Sequence, residues 1–248
     1  MIAHERHHRM IEFLARHGRA GMAELLALTG VSPATLRRDL DFLGGRDLLV
    51  RQHGAVLHPS AAAAEPSLIQ KSQSATAAKR KIGRRAADMV PDGATVFIDS
   101  GTTCLEVARV LRSRATLTII TNSLPVVAGH EQFQAKLIVI GGERRAVSGA
   151  LVGRLASRAF SSLKADVALI GASGLDVESG PGTTELLEKD IKVSWIRQAR
   201  RTVLLCDASK WASASTFGFA PWESIHDFVT DRKPPGTFRP KKTNIHLT

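Results

Sequence analysis

Val31-Ser32-Pro33-Ala34-Thr35-Leu36-Arg37-Arg38-Asp39-Leu40-Asp41-Phe42-Leu43 decides how the N-terminal part of this chain folds. Ser32 has the side chain of a helix N-cap, and Pro33 suits the first helical position, where its missing N–H costs nothing. Leu36, Leu40 and Leu43 recur at i, i+4 and i+7, which draws one buried stripe down a helix. At about 100° per residue Arg38 points away from that stripe, with Ala34, Thr35 and Arg37 beside it. An exposed face with forked donors and small neighbours is what a helix needs to enter the major groove. Upstream, residues 5–16 form an amphipathic helix with Met10, Ile11 and Leu14 inward, and residues 22–28 form a second helix. Thr29-Gly30-Val31 turns the chain, with Gly30 able to take a positive φ. Asp39 and Asp41 temper the charge of the third helix, and Asp39 is placed to pair with a neighbouring basic group.

Downstream, residues 48–52 and 55–58 flank His53-Gly54 as a hairpin, the wing of a winged helix-turn-helix. Arg51, Gln52 and His53 are placed for phosphates or the minor groove. The candidate DNA-binding residues are Ser32, Ala34, Thr35, Arg37, Arg38, Arg51 and His53. The competing explanation is a small helical domain whose arginines are merely solvated. The cap, the spacing, the arginine pair and the wing together weigh against it.

Composition agrees with a polyanionic partner: 248 residues carry a formal net charge of +11 and a pI near 10.3. Cys104 and Cys206 form no disulfide framework, so a reducing, cytoplasmic setting is the default expectation. The N-terminal segment is polar and histidine-rich rather than a signal sequence, and no apolar run is long enough to span a membrane. His4, His7 and His8 cluster, but loose exposed histidines are expected there rather than a metal site. No metal and no cofactor are expected.

Residues 60–64 (Ser-Ala-Ala-Ala-Ala) change the composition, and the expected division is a DNA-binding domain at 1–59, a linker at 60–78, an α/β domain at 79–231 and a basic extension at 232–248. Apolar runs at 95–98, 117–120, 137–140, 167–170 and 203–205 alternate with helical stretches such as 105–111 and 155–160. That alternation predicts a parallel sheet covered by helices. The extension is read as a solvated tail ending in a strand-like 244–247.

Small or polar clusters follow the apolar runs: Asp99-Ser100-Gly101-Thr102-Thr103, Thr121-Asn122-Ser123, Gly141-Gly142-Glu143-Arg144-Arg145, Gly171-Ala172-Ser173-Gly174 and Asp207-Ala208-Ser209-Lys210. In a parallel sheet these loops share the carboxyl edge, where ligands bind. Ser100-Gly101-Thr102-Thr103 also opens a helix, so free N–H groups, hydroxyls and the helix dipole make an anion site there. The alternative is simple helix capping. Lys210 nearby favours a phosphate.

The run from Ile11 to His58 resembles the DNA-binding domain of the DeoR family of bacterial sugar-metabolism regulators. The residues that carry the resemblance are Val31-Ser32, Thr35-Leu36-Arg37-Arg38-Asp39-Leu40, Leu48-Leu49, Arg51 and His53-Gly54-Ala55. Lys79 to about Asp231 resembles that family's sensor domain, related in fold to ribose-5-phosphate isomerase. Its matching pieces include residues 99–103 and 121–123, Gly141-Gly142, Ser148-Gly149, residues 166–174 and 207–210. The resemblance implies a repressor of a carbohydrate operon, controlled by a phosphorylated sugar or similar metabolite. It implies that Ser100, Gly101, Thr102 and Thr103 cradle the phosphate with Lys79 adding charge, and that Asp99, Asn122, Gly141, Gly142, Lys192 and Lys210 are further effector-site candidates. Lys192 stands four residues after Glu188, so a surface ion pair competes with a ligand role there. Asp166 opens a strand and is read as structural.

Departures from the family pattern fall at Gly21-Met22, at Gly44-Gly45, and at Trp195, where a methionine is usual. The acidic and Gly/Pro-rich segment 176–182 also departs, and is read as a candidate lid. A homodimer or tetramer would present paired recognition helices to repeated half-sites. The rival functions are a sugar-phosphate isomerase fused to a DNA-binding domain, and a constitutive DNA binder with a degenerate sensor. The first lacks an acidic loop where Gly171-Ala172-Ser173-Gly174 stands, so no enzyme is expected. The second conflicts with the intact phosphate cluster.

Overall fold

A computed structural model describes the chain apart from Met1, Gly18, Asp47, His53, Gly54, residues 59–64 and Ala214. It divides into two compact units, residues 1–65 and 66–248.

In the first unit, α1 (Ala3–His17), α2 (Met22–Thr29) and α3 (Pro33–Gly44) pack with a three-stranded sheet of β1 (Arg19–Gly21), β2 (Val50–Gln52) and β3 (Ala55–Leu57), in the order β1-β3-β2. Ser32 caps α3 by accepting from the Thr35 N–H at 3.3 Å. Gly30 closes α2 in the left-handed conformation, φ 66°, and its N–H reaches the Leu26 carbonyl at 2.8 Å. The Gly21 N–H donates to Glu24 at 2.6 Å, so the departure at Gly21-Met22 still supplies a sound helix start. Leu36, Leu40 and Leu43 are all buried, against Met10, Leu14 and Leu25. Each such leucine contributes about 1.5–3 kcal/mol by leaving water. Helix α3 ends at Gly44, with Gly45 as its cap, which is the effect of the Gly44-Gly45 departure.

The second unit is an α/β fold on a seven-stranded sheet. Its strands are β4 (Thr95–Ile98), β5 (Thr118–Thr121), β6 (Lys136–Val139), β9 (Ala165–Ile170), β12 (Ala199–Leu205), β14 (Asp227–Thr230) and β15 (Asn244–Leu247). The order is β15-β14-β12-β9-β4-β5-β6, and every pairing is parallel. Alternation along each strand feeds two cores. Val96 and Ile98 join Ile82, Val107 and Leu111 from α5 (Thr76–Asp88) and α6 (Thr102–Leu111). Phe97 faces the other way, onto Phe160 of α7 (Arg154–Ser161) and Trp195 of α8 (Leu186–Gln198). Both faces are therefore covered, which is why the strands read as short unbroken apolar runs. Gly83 lets α5 and α6 touch: a Cβ there would lie 2.8 Å from the Glu106 Cβ.

Several expectations change. Residues 66–78, read as linker, hold α4 (Leu68–Gln73) and the start of α5, both part of the second unit. The stretch 232–248 is not a free tail: Phe238 is buried in the core, and β15 pairs along β14. Segment 176–182, read as a candidate lid, is not an open loop. It lies in the hairpin of β10 (Gly174–Asp176) and β11 (Gly180–Thr183), and β11 continues onto β13 (Phe217–Gly218). Asp176 ties that turn through the Glu178 and Ser179 N–H groups, and Trp222 donates to its carbonyl at 2.9 Å. Trp195, one of the departures from the family pattern, stacks on Phe97 with ring centroids 5.4 Å apart and so lies in the core rather than at the site.

Candidate functional site

On α3 the residues with DNA-reading chemistry stand clear of the core. Ser32, Ala34, Arg37 and Arg38 are exposed and Thr35 is half-buried. Asp39, next along, is buried and does something else. Its carboxylate takes Arg6 of α1 in a two-point contact, 2.7 and 2.9 Å, and His7 at 2.9 Å. The Arg6 hydrogen bonds hold Asp39 below the usual carboxylate range, against its burial. The effect is to fix α3 on α1, so that the arginine face is presented on a rigid support. The neighbouring basic group expected for Asp39 is thus Arg6, a long-range partner. Strands β2 and β3 form the expected wing. The Arg51 side chain and His53 lie outside the described residues.

In the second unit the loops after β4, β9 and β12 converge on one cleft at the carboxyl edge of the sheet. Asp99, Ser100, Gly101, Thr102, Thr103, Lys192 and Lys210 all line it. Gly101 is the N-cap of the ten-residue α6 and makes no side-chain cap, so the first N–H groups of that helix face the cleft. Free N–H groups at a helix start, beside hydroxyls and ammonium groups, form an anion cradle. Asp99 is fully engaged below it. One oxygen accepts from the Ser100 N–H at 2.8 Å, the other from the Gly171 N–H at 3.0 Å and from Lys192. Lys192 also donates to the Gly171 carbonyl at 3.0 Å, with the Phe219 ring 5.4 Å away. Burial works against the Lys192 ammonium, but Asp99 and then Glu188 outweigh it and hold its pKa above the ordinary lysine value. Lys192 is therefore no surface ion pair: it lines the cleft as the buried brace of its floor.

Other sequence candidates fall elsewhere. Lys79 is buried, but its ammonium donates to the carbonyls of Lys71 and Ser74 and holds the end of α4. Burial pushes its pKa down to about 8, with Asp207 opposing and Lys210 and Lys71 adding to the fall. Asn122 is buried and donates to the Leu151 carbonyl at 2.9 Å, which anchors β8 (Leu151–Val152) beside β7 (Glu143–Arg144). Gly142 packs on that strand: a Cβ would sit 2.4 Å from the Val152 oxygen. Neither Asn122 nor Gly141-Gly142 lines the cleft.

The polar residues Lys71, Ser148 and Glu188 also line the cleft and were not among the effector-site candidates. Glu188 is buried and accepts from Ser148 at 2.6 Å, Arg145 at 3.2 Å and Thr183 at 3.3 Å. Its four-residue offset from Lys192 was visible, but the two side chains are spent on different partners. Both cysteines are buried and outside any disulfide, and burial pushes the Cys206 thiol up to about 12. Among the described residues no three side chains form a metal-binding group, and no helix is long and apolar enough to cross a membrane.

Residues 74–232 match the model of the DeoR C-terminal sensor domain, and residues 6–61 that of the DeoR-like helix-turn-helix domain. The chain is 31% identical over 246 residues to the glycerol-3-phosphate regulon repressor of Escherichia coli strain K12, covering 98% of this chain and 96% of that protein. It is 34% identical over 233 residues to the HTH-type transcriptional regulator GlpR of Haloferax volcanii, covering 93% and 91%. Among solved structures, ribose 5-phosphate isomerase A of Methanocaldococcus jannaschii is 19% identical with a TM-score of 0.40, over 53% of this chain and 52% of that one. That likeness is too low to argue from.

Proposed function

The chain belongs to the DeoR family of transcriptional regulators, and from that premise we propose that it is a repressor whose grip on DNA is set by a phosphorylated sugar or polyol. The observation that carries the effector half is the uncapped start of α6 at residues 101–103, facing a cleft with Lys71 and Lys210. A phosphate there satisfies N–H groups that the chain itself leaves open. The E. coli relative bears the name of a glycerol-3-phosphate regulon repressor, which supports a phosphorylated effector of this class.

On the DNA side, Arg37 and Arg38 read base edges or phosphates while Ser32, Ala34 and Thr35 let the helix approach. The wing adds phosphate contacts through Arg51 and His53. Two or more copies bind repeated half-sites in the cytoplasm. Effector binding acts by favouring one arrangement of the oligomer; a 100-fold difference in effector affinity between arrangements corresponds to about 2.7 kcal/mol.

Catalysis is disfavoured by the same cleft. A general base needs a free carboxylate within reach of a substrate proton. Asp99 is held by Lys192 and two N–H groups, and Glu188 by Ser148 and Arg145. The test is thermal unfolding against sugar phosphates and their unphosphorylated parents. A true effector at about 100 times its Kd adds about 2.7 kcal/mol, a rise of several degrees. Equal shifts from the unphosphorylated parents would refute the phosphate assignment.

A further inference from the structure

Helix α5 has two faces. Lys79, Ile82, Gly83, Ala86 and Ala87 turn inward and pack on the sheet and on α6. Arg80, Lys81, Arg84 and Arg85 are exposed. At about 100° per residue these four span an arc of about 140°, so they form one continuous basic stripe. Among the described residues Arg80, Lys81 and Arg84 have no hydrogen bond or ion pair, and Arg85 meets only His246, at 3.2 Å.

That last contact seats β15 beside the C-terminal half of α5. The strands are all parallel and α5 runs into β4, so the end of α5 and the start of β15 share the amino edge of the sheet. Lys241 and Lys242, both exposed, lead into β15 at that edge. The stripe therefore continues onto the last strand. Acidic groups do not neutralise it. Asp227 is occupied by Arg201 and His246, Asp166 by Arg200 and the Thr95 N–H, and Asp92 by Arg114. Asp88 and Glu223 remain exposed near that edge, two carboxylates against six cations. The effector cleft opens at the opposite, carboxyl edge.

Unpaired like charges on one face repel each other and favour a partner with regularly spaced anions. We infer that this face of the sensor unit is a second DNA-binding surface, which holds the phosphate backbone flanking the sequence read by the helix-turn-helix. Double-stranded DNA is the occupant because the groups are guanidinium and ammonium alone, with no aromatic side chain among them to stack on unpaired bases. Such a surface adds affinity and lengthens the bound site without adding base specificity.

The inference rests on the DNA-binding function proposed above, and the test separates the two. Full-length protein is titrated against a long mixed-sequence duplex by fluorescence anisotropy, from about 50 to 200 mM salt. The variants are Arg80→Gln/Lys81→Gln/Arg84→Gln, Lys241→Gln/Lys242→Gln, and Arg38→Ala as the recognition-helix control. All five positions of the first two variants are exposed, and a matching thermal unfolding curve verifies their fold. Each lost phosphate contact lowers the slope of log K against log salt by about 0.9, so the triple variant should lose about 2 to 3 units of slope per chain and the double variant about 1 to 2. A wild-type slope in both variants, with a reduced slope for Arg38→Ala, overturns the second surface and leaves the helix-turn-helix standing. A wild-type protein without salt-dependent binding overturns both.

Discussion

Replacing Asp99 with asparagine removes the counter-charge of a lysine that has almost no water around it. Lys192 is 5% exposed, and its remaining contacts would be the Gly171 carbonyl and the face of the Phe219 ring. Removing one member of a buried pair costs about 3–5 kcal/mol, because the other charge stays buried and uncompensated. For a unit of this size that is a fall of roughly 10 °C in Tm. The pH dependence should change sign as well. In the wild type Lys192 holds its proton more firmly when folded, since its pKa is raised. That contribution is complete below the unfolded lysine value of about 10.4 and fades only as pH climbs through the higher folded value. In Asp99→Asn only the Glu188 charge still opposes burial, which is the larger effect, so the folded chain holds the proton less firmly than the unfolded one, and stability rises with pH between the two values. Urea unfolding at pH 7, 8 and 9 measures both effects. The double variant Asp99→Asn/Lys192→Met removes the stranded charge and should recover most of the loss. A loss below about 1 kcal/mol, or stability in Asp99→Asn that stays flat from pH 7 to 9, would refute the buried-brace account.

Ser100→Asp sets a carboxylate where the phosphate should sit; calorimetry should show effector binding weakened by more than tenfold while DNA affinity is kept, and normal effector binding would remove the cradle from consideration. Arg38→Ala should weaken specific DNA binding by about 1–3 kcal/mol with the Tm unchanged, and a wild-type footprint would put sequence reading elsewhere. Burial pushes Lys79 down to about 8 in the folded chain, below the unfolded lysine value of about 10.4, so wild-type stability relative to Lys79→Met should rise as pH climbs from about 8 to about 10. A difference in urea midpoint that does not change with pH would refute that shift.

Much of the fold was legible because its signals are local. The Ser32 cap, Pro33 and the leucine spacing sit within a dozen residues, and β4 or β9, buried on both faces, reads as an apolar run whatever surrounds it. Strand β14 was hidden because it opens on Asp227, a carboxylate that is buried only because Arg201 and His246 reach it from other strands. Hairpin β10–β11 looked like a loop because its small residues are required by packing: a Cβ on Gly182 would lie 2.2 Å from the Ser215 oxygen. Helix α4 was readable in principle. Ser67 and Gln70 form a reciprocal capping box, at 3.3 and 2.8 Å, which the adjoining alanine-rich stretch obscured, and with it went Lys71. At the site, the residues of one loop were found together, whereas Glu188, Ser148 and Arg145 meet only across distant segments.

Regulation of DNA binding by a phosphorylated metabolite is tested most directly by binding itself. The duplex from upstream of this protein's own gene is titrated with the protein, alone and with each sugar phosphate that shifts the Tm, at one fixed salt concentration. The account predicts that one phosphorylated compound changes DNA affinity by about 5- to 150-fold, the span of ordinary allosteric coupling, and that its unphosphorylated parent does not. Unchanged DNA affinity at a saturating concentration of a compound that demonstrably binds would contradict it.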